Sequence, residues 1–453
     1  MGKEKNKIIR PTIFNPNSTN IEPKGNYIDG FSKLCRYQRL NVLKEWMSSD
    51  VLTELDSFLH RNPDIQQTMS ELSENYLTNF YLPFGVVPNV LINDEFYLVP
   101  MVVEESSVVA AAARAAGFWA KHGGFKTEVL ATKKKGQVHF TWSGLGDFIK
   151  SLFPEIELLF YKNTETITAG MRSRGGGITA IELLDLSDKI DGYYQIDVSF
   201  ETADAMGANF INTCLETMAE TLTTFMKSHS HKGKLEVLMA ILSNYTPESL
   251  VKCTVSCSVE ELALMSSTYA PADFARRFEL AVKMAQIDVS RAVTHNKGIY
   301  NGIDGVVLAT GNDWRAVEAA GHAYAARNGA YSALSEVKVE NEMFSYSITI
   351  PLSVGTVGGL TKNHPLAAFS LKLLRNPSAN RLMEIIVALG MANNFSAVSS
   401  LVTSGIQKGH MKMHLANMLS QLGASEKQKA AAVSYFANKV VSYAAVQHYL
   451  KQQ

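Results

Sequence analysis

Three observations predict an α+β fold. Between about residues 131 and 249 the apolar pattern runs β-α-β-β-α-β, period two alternating with period 3.6. On either side the chain reads as mostly helical, with isolated strands. Its 453 residues also exceed what one core usually serves, and the soft prior is about three domains.

In chain order, residues 1–28 are polar and hold Pro11, Pro16 and Pro23, which suits a loosely draped arm. Leu34, Tyr37, Leu40 and Leu43 then recur at helical spacing, and Ser49 and Asp50 offer caps for a second helix through Leu59. Glu95 to Val103 alternates as a strand and runs through Glu104-Glu105-Ser106-Ser107 into an alanine-rich helix, Val108 to Lys121. The serines can cap that helix and its dipole favours nearby carboxylates, so both glutamates have an account that needs no chemistry.

The central stretch gives a strand at Gln137 to Trp142, a helix from Gly144 towards Phe160, and strands Thr179 to Leu186 and Tyr193 to Phe200. A long helix, about Gly207 to Lys227, and a strand, Leu235 to Leu242, complete it. This order is the split βαβ, or ferredoxin-like, arrangement. Beyond residue 250 helices dominate, with a strand pair near Ser332–Glu340 and Phe344–Leu352. Two helices, about Gly409–Leu422 and Glu426–Gln447, close the chain.

Lysine plus arginine and aspartate plus glutamate each number 43. A zero net charge leaves no general attraction for nucleic acid or an anionic membrane, though a few local cations could still hold a small acidic ligand. Leu98 to Trp119, the most apolar stretch, is interrupted by Glu104, Glu105 and Arg114, so no membrane span is expected. A signal-peptide core is also missing, and a soluble, cytoplasmic chain is the expectation. Cys35, Cys214, Cys253 and Cys257 are too few for a disulfide scaffold. Cys253 and Cys257 fall on one face of an alternating stretch, where buried thiols fit better than zinc ligands. His410 and His414 share a helix face, but Met411 stands where a zinc protease needs glutamate, so no metal is expected.

No Walker loop, dinucleotide fingerprint or nucleophile elbow appears. Four glycine-bearing stretches remain: 174–177, 204–209, 296–298 and 355–359. Each alone could be a turn, or a place where backbone approaches a ligand.

In combination they resemble the 3-hydroxy-3-methylglutaryl-CoA (HMG-CoA) reductase family. Asp204-Ala205-Met206-Gly207-Ala208-Asn209 is similar to its cofactor loop, and Val103-Glu104-Glu105-Ser106-Ser107 to its glutamate motif. Arg291 to Gly298, with Asn301-Gly302-Ile303-Asp304, resembles the lysine motif, and Ala309 to Ala316 the aspartate motif. Gly405-Ile406-Gln407-Lys408-Gly409-His410-Met411 resembles the histidine motif. The similarity runs from about residue 31 to the end, nearest to the soluble bacterial and archaeal class II enzymes. Ser106, Thr78 and Leu360 depart from the family pattern.

The resemblance implies reduction of HMG-CoA to mevalonate and free CoA by two nicotinamide hydrides. The implied catalytic set is Glu105, Lys297, Asp313 and His410. Asp204, Met206, Gly207, Ala208 and Asn209 would bind the cofactor, and Ser107, Arg291 and Asn301 the acyl substrate. NAD-preferring relatives carry an aspartate where Ala180 stands, so NADPH is expected, with NADH as the alternative; Arg172 or Arg174 could face its 2′-phosphate.

The implied architecture is a helical large domain, 29–130 and 250–405, interrupted by a nicotinamide-binding domain, 131–249, and closed by a flap, 406–453. A homodimer with a shared active site, possible as a trimer of dimers, is implied too. The competing reading is a CoA-thioester-binding relative with altered substrate or lost activity.

Overall fold

The computed structural model describes residues 28–266, 268–403, 405, 415–436, 439 and 441–452. Two units are distinguished: the chain up to Pro83 with Asn363–Pro365, and Phe84–Lys362 with Leu366–Gln453.

The first unit holds α1 (Arg36–Leu43), α2 (Ser49–Glu54) and α3 (Pro63–Glu71). Helix α3 starts where the sequence dictates: Pro63 has no amide to lose, and the Asn62 side chain accepts from the Asp64 and Ile65 amides. Helix α2 stops at Glu54, and Leu55–Phe58 tightens into a 3-10 turn, short of the Leu59 end expected. The departure at Thr78 has a local use, since its hydroxyl donates to the Leu55 carbonyl at 2.7 Å.

The second unit opens with an antiparallel hairpin, β1 (Phe84–Ile92) and β2 (Glu95–Val102), turned by Asn93 and Asp94 at φ 46° and 70°. Two residues in the left-handed region match the twist of the flanking strands. Helix α4 (Val108–Trp119) follows, then β3 (Lys126–Val129), β4 (Lys134–Trp142), α5 (Gly146–Asn163), α6 (Glu165–Arg172), β5 (Gly177–Asp185) and β6 (Tyr193–Glu201). Next come α7 (Ala208–Lys227), β7 (Leu235–Ser243), β8 (Leu250–Ser258), α8 (Pro271–Ile287), α9 (Val289–Ala309) and α10 (Trp314–Ala325). The remainder comprises β9 (Ser335–Glu340), β10 (Met343–Pro351), α11 (Leu360–Asn363), α12 (Pro365–Leu373) and α13 (Ala379–Val402).

One sheet has the order β5-β6-β4-β7 with every neighbouring pair antiparallel. Its inward residues, among them Val138, Phe140, Ile196 and Val198, pack on Ile149, Leu215 and Met218 of α5 and α7. The second four-stranded sheet, β3-β8-β10-β9, carries Cys253 and Cys257 on its buried face. Burial pushes the Cys257 thiol up to about 12, so both thiols act as small apolar groups.

Helix α13 is buried along nearly its whole length against the core formed around α4, α9 and β8. It alone among the described helices is long and apolar enough to cross a membrane, yet 78% of its apolar window is enclosed by protein. At the end of the chain, residues 415–421 and helices Glu426–Tyr435 and Tyr443–Lys451 share a small core of Leu415, Leu419, Ala432, Phe436, Val446 and Tyr449. The single helix expected over Glu426–Gln447 is thus two, the second begun by the Ser442 side chain capping Ala445.

Candidate active site

Helix α9 begins at Asp288, whose carboxylate accepts from the Ser290 amide. Lys297, Asn301 and Asp304 follow at i, i+4 and i+7, so one face of α9 carries all three. The opposite face holds the helix rigidly. Asn296 donates to Ser332 O at 3.0 Å and accepts from Leu334 N at 3.0 Å. Asn394 of α13 donates to His295 O at 2.7 Å, and the His295 Nε2 lies 2.6 Å from Ser335 Oγ. Burial, aided by the nearby Arg291 charge, lowers His295 to about 4, so it is neutral near pH 7.

The Lys297 ammonium donates to Glu105 Oε2 at 2.9 Å. Their side chains are 61% and 41% exposed, so the pair faces an accessible surface. The Glu105 carboxylate is therefore spent on Lys297, and α4 has no acidic residue in its first turn. The helix-starting account does not hold for this residue. Nor does Ser107 cap α4 with its side chain: it sits at the N-cap with φ 78°, a left-handed conformation uncommon for serine.

Asp313 caps α10, accepting from the Arg315 and Ala316 amides at 3.1 and 3.2 Å, with the Arg315 guanidinium 3.8 Å away. Its neighbour Asn312 accepts from Gly355 N at 2.8 Å, and Thr356 N donates to Asp204 O at 2.8 Å. The Asp204 carboxylate in turn accepts from Ala379 N, the first residue of α13, at 2.7 Å. Three stretches far apart in sequence, 204–209, 312–313 and 355–357, thus form one hydrogen-bonded patch.

Within it, Ala203 and Gly207 adopt φ 47° and 94°. A Cβ on residue 207 would lie 2.5 Å from Thr202 Cγ2, so glycine is required for space as well as conformation. Met206 and Ala208 line a small cavity, and Asn209 is exposed in the first turn of α7.

Arg291 lies half-buried in the first turn of α9. Ala180 is half-buried on β5, just past an irregularity in the β5–β6 register. Arg172 is engaged by Glu165, 3.6 Å away, while Arg174 is exposed. His410, its motif and His414 fall outside the described residues. Among the described residues, no cluster of three His, Cys, Asp or Glu side chains could hold a metal.

Two charged residues stand out that no motif reading had given a role. Asp304 bonds Glu318 of α10; burial, then the Glu318 charge and bond, then Glu104 raise its pKa strongly, with Lys297 opposing. Its position seven residues after Lys297 was the available signal. Lys134 is buried beneath residues 202–205, and period two counted back from Trp142 places it on the inward face of β4.

Comparison with known proteins places this geometry. The family model for hydroxymethylglutaryl-coenzyme A reductase matches residues 36–415. A 3-hydroxy-3-methylglutaryl-coenzyme A reductase of Archaeoglobus fulgidus is 34% identical over 408 residues, covering 88% of each chain. A probable counterpart from Borreliella burgdorferi is 30% identical, covering 89% of this chain and 90% of the other. A class II reductase structure from Streptococcus pneumoniae, bound to NADPH in open conformations, aligns with a TM-score of 0.67 and 34% identity. That match covers 83% of this chain and 99% of the other. With the family model spanning most of its length and relatives 30–34% identical over nearly nine-tenths of it, this chain belongs to the hydroxymethylglutaryl-coenzyme A reductase family.

Proposed function

We propose that the chain is a class II HMG-CoA reductase that consumes two NADPH and two protons to give mevalonate and free CoA. The observation that carries this reading is the Lys297–Glu105 pair, a cation and a proton-carrying group in contact at an accessible face. Each hydride addition to a carbonyl leaves negative charge on its oxygen. Lys297 stabilises that charge, and Glu105, protonated for one of the two steps, supplies a proton to the oxygen. Asp313, the N-cap residue of α10, is assigned the orientation of Lys297 in the working site; in this structure its carboxylate accepts from the Arg315 and Ala316 amides. His410 protonates the departing CoA thiolate. Arg291 matches the substrate carboxylate with its planar fork, while Ser107 and Asn301 bind the acyl group.

The nicotinamide cofactor supplies hydride when bound. Residues 204–209 fit it, because left-handed backbone at 203 and 207 and the α7 start bring amides to one place. Gly207, Asp204, Met206, Ala208 and Asn209 would hold it. Ala180 presents no carboxylate against a 2′-phosphate, which favours NADPH over NADH.

The antiparallel order β5-β6-β4-β7 supports a ferredoxin-like nicotinamide domain over 131–249. The large domain would comprise 29–130 and 250–405, with 406–453 as the flap. Phe80 and Tyr81, 90% and 56% exposed, support burial of the first unit in a homodimer with a shared active site. A cytoplasmic location suits these substrates. Absorbance at 340 nm with HMG-CoA and each nicotinamide tests the reading: two cofactors oxidised per CoA released is expected, and no CoA-dependent oxidation would overturn it.

A further inference from the structure

Lys134 occupies an unusual place. Its residue is 5% exposed, and its ammonium donates to Thr202 Oγ1 and, at 3.1 Å, to Ala205 O. Thr202 Oγ1 donates to the same Ala205 carbonyl at 2.7 Å. These bonds surround the turn that places Ala203 and Gly207 in the left-handed region. Both direct partners of the ammonium are neutral oxygens. Glu201 is the carboxylate whose charge acts on it, and Glu201 itself accepts from Thr132 at 2.7 Å. A cation so buried gives up most of its hydration, which partnership with neutral oxygens only partly returns.

Fold stability does not account for that cost. Ala205 O would keep the Thr202 hydroxyl if the ammonium were removed, and a methionine side chain would fill the same space. What the ammonium adds is a charge fixed beneath the loop and two further bonds on its strained turn.

We propose that Lys134 is a positioning residue for the nicotinamide cofactor: its buried ammonium clamps Thr202 and Ala205, fixes the left-handed turn of residues 203–207, and supplies positive potential under a phosphate-bearing ligand. The inference rests on reading 204–209 as the cofactor loop. Burial lowers Lys134 to about 8, with Glu201 opposing the shift. A nearby phosphate would favour its charged form.

The test uses the full-length enzyme and reads NADPH binding by fluorescence titration as well as turnover. Lys134→Met should raise both the Kd and the KM for NADPH by about tenfold or more, the value of a bond to a charged group. The KM for HMG-CoA and kcat at saturating NADPH should stay within about threefold, and Tm should not fall. Thr202→Val should weaken NADPH binding in the same direction, and Thr202→Ser should restore it. Unchanged NADPH binding in Lys134→Met overturns the inference. So does a fall in Tm with equal loss of both substrates, which marks a merely structural lysine. Gly207→Ala separates the two levels: if it binds NADPH normally, the cofactor-loop reading itself is wrong. If Gly207→Ala loses NADPH while Lys134→Met does not, only the role of Lys134 fails.

Discussion

Gly302 lies on α9 between Asn301 and Asp304, pressed against the backbone of α13. A Cβ there would stand 2.1 Å from Leu389 O, 2.5 Å from Leu389 C and 2.8 Å from Gly390 N. Ordinary contact begins near 3.4 Å, so Gly302→Ala must part the two helices by about 1.3 Å at this point. No side chain can swing aside, because every close atom is backbone. Overpacking of this kind costs about 1–3 kcal/mol, and the helix propensity gained from alanine returns about 1 kcal/mol at most. The larger effect falls on chemistry. Lys297 and Asn301 ride on α9, and a misplacement of about 1 Å in a reacting group costs roughly 10²-fold in rate. The variant should therefore melt several degrees lower and lose about two orders of magnitude in kcat, measured by thermal denaturation and NADPH oxidation. Gly117→Ala is the control, a helical glycine with nothing within 4 Å of the added Cβ, and should hold or gain stability. A Gly302→Ala enzyme with wild-type Tm and kcat would refute the reasoning.

Lys297→Ala should abolish about 10²–10³ or more of the rate while HMG-CoA still binds, checked by turnover and calorimetry; a tenth of wild-type turnover would remove Lys297 from the mechanism. His410→Gln should harm CoA release far more than reduction of added mevaldehyde, which has no thiolate to protonate; equal losses would refute that division. Ala180→Asp should shift the NADPH/NADH ratio of kcat/KM towards NADH by about tenfold or more, by repulsion from the 2′-phosphate. In the folded chain burial, then the adjoining Glu318 carboxylate, holds Asp304 protonated well above the usual carboxylate range, whereas the unfolded chain releases that proton near pH 4. Its stability contribution is thus complete at acid pH and is lost as pH rises from about 4 towards the raised folded value. Asp304→Asn should flatten this component in urea unfolding at pH 5.5, 7 and 8.5, and an unaltered pH slope would count against it.

Where burial follows a simple period, the sequence was readable. Strand β4 alternates inward and outward along its whole length, and the structure extends the expected strand only from Gln137 back to Lys134. Those three residues matter, because they turn Lys134 from a loop cation into a core one. Local pattern misled where tertiary bonds outbid local ones. Glu105 and Ser107 fit the composition of a helix start, yet Glu105 pairs with a lysine 192 residues away and Ser107 turns left-handed. The motifs identified Lys297 and Asp313 without showing that Asn312, Gly355, Thr356 and Asp204 join in one patch. Such long-range bonds leave no period in the sequence. The end of the chain shows the converse: periodicity carried the predicted helix through residues 436–441, but Ser442 starts a new one.

Helix α13 touches both halves of the proposed chemistry. Its first amide holds Asp204. Arg381 binds Glu95 and Tyr97 of the hairpin that leads to Glu105. Its middle abuts Gly302, and Asn394 grips the carbonyl just before Asn296 and Lys297. Twenty-four residues make a rod of roughly 36 Å, enclosed on its apolar faces and therefore unable to bend cheaply. If residues 204–209 hold the cofactor and Lys297 faces the acyl group, each contact made by α13 is a place where the two could influence one another, and linkage would make any such influence reciprocal. The helix whose composition would suit a bilayer serves here as a common support for the Asp204 loop and for α9.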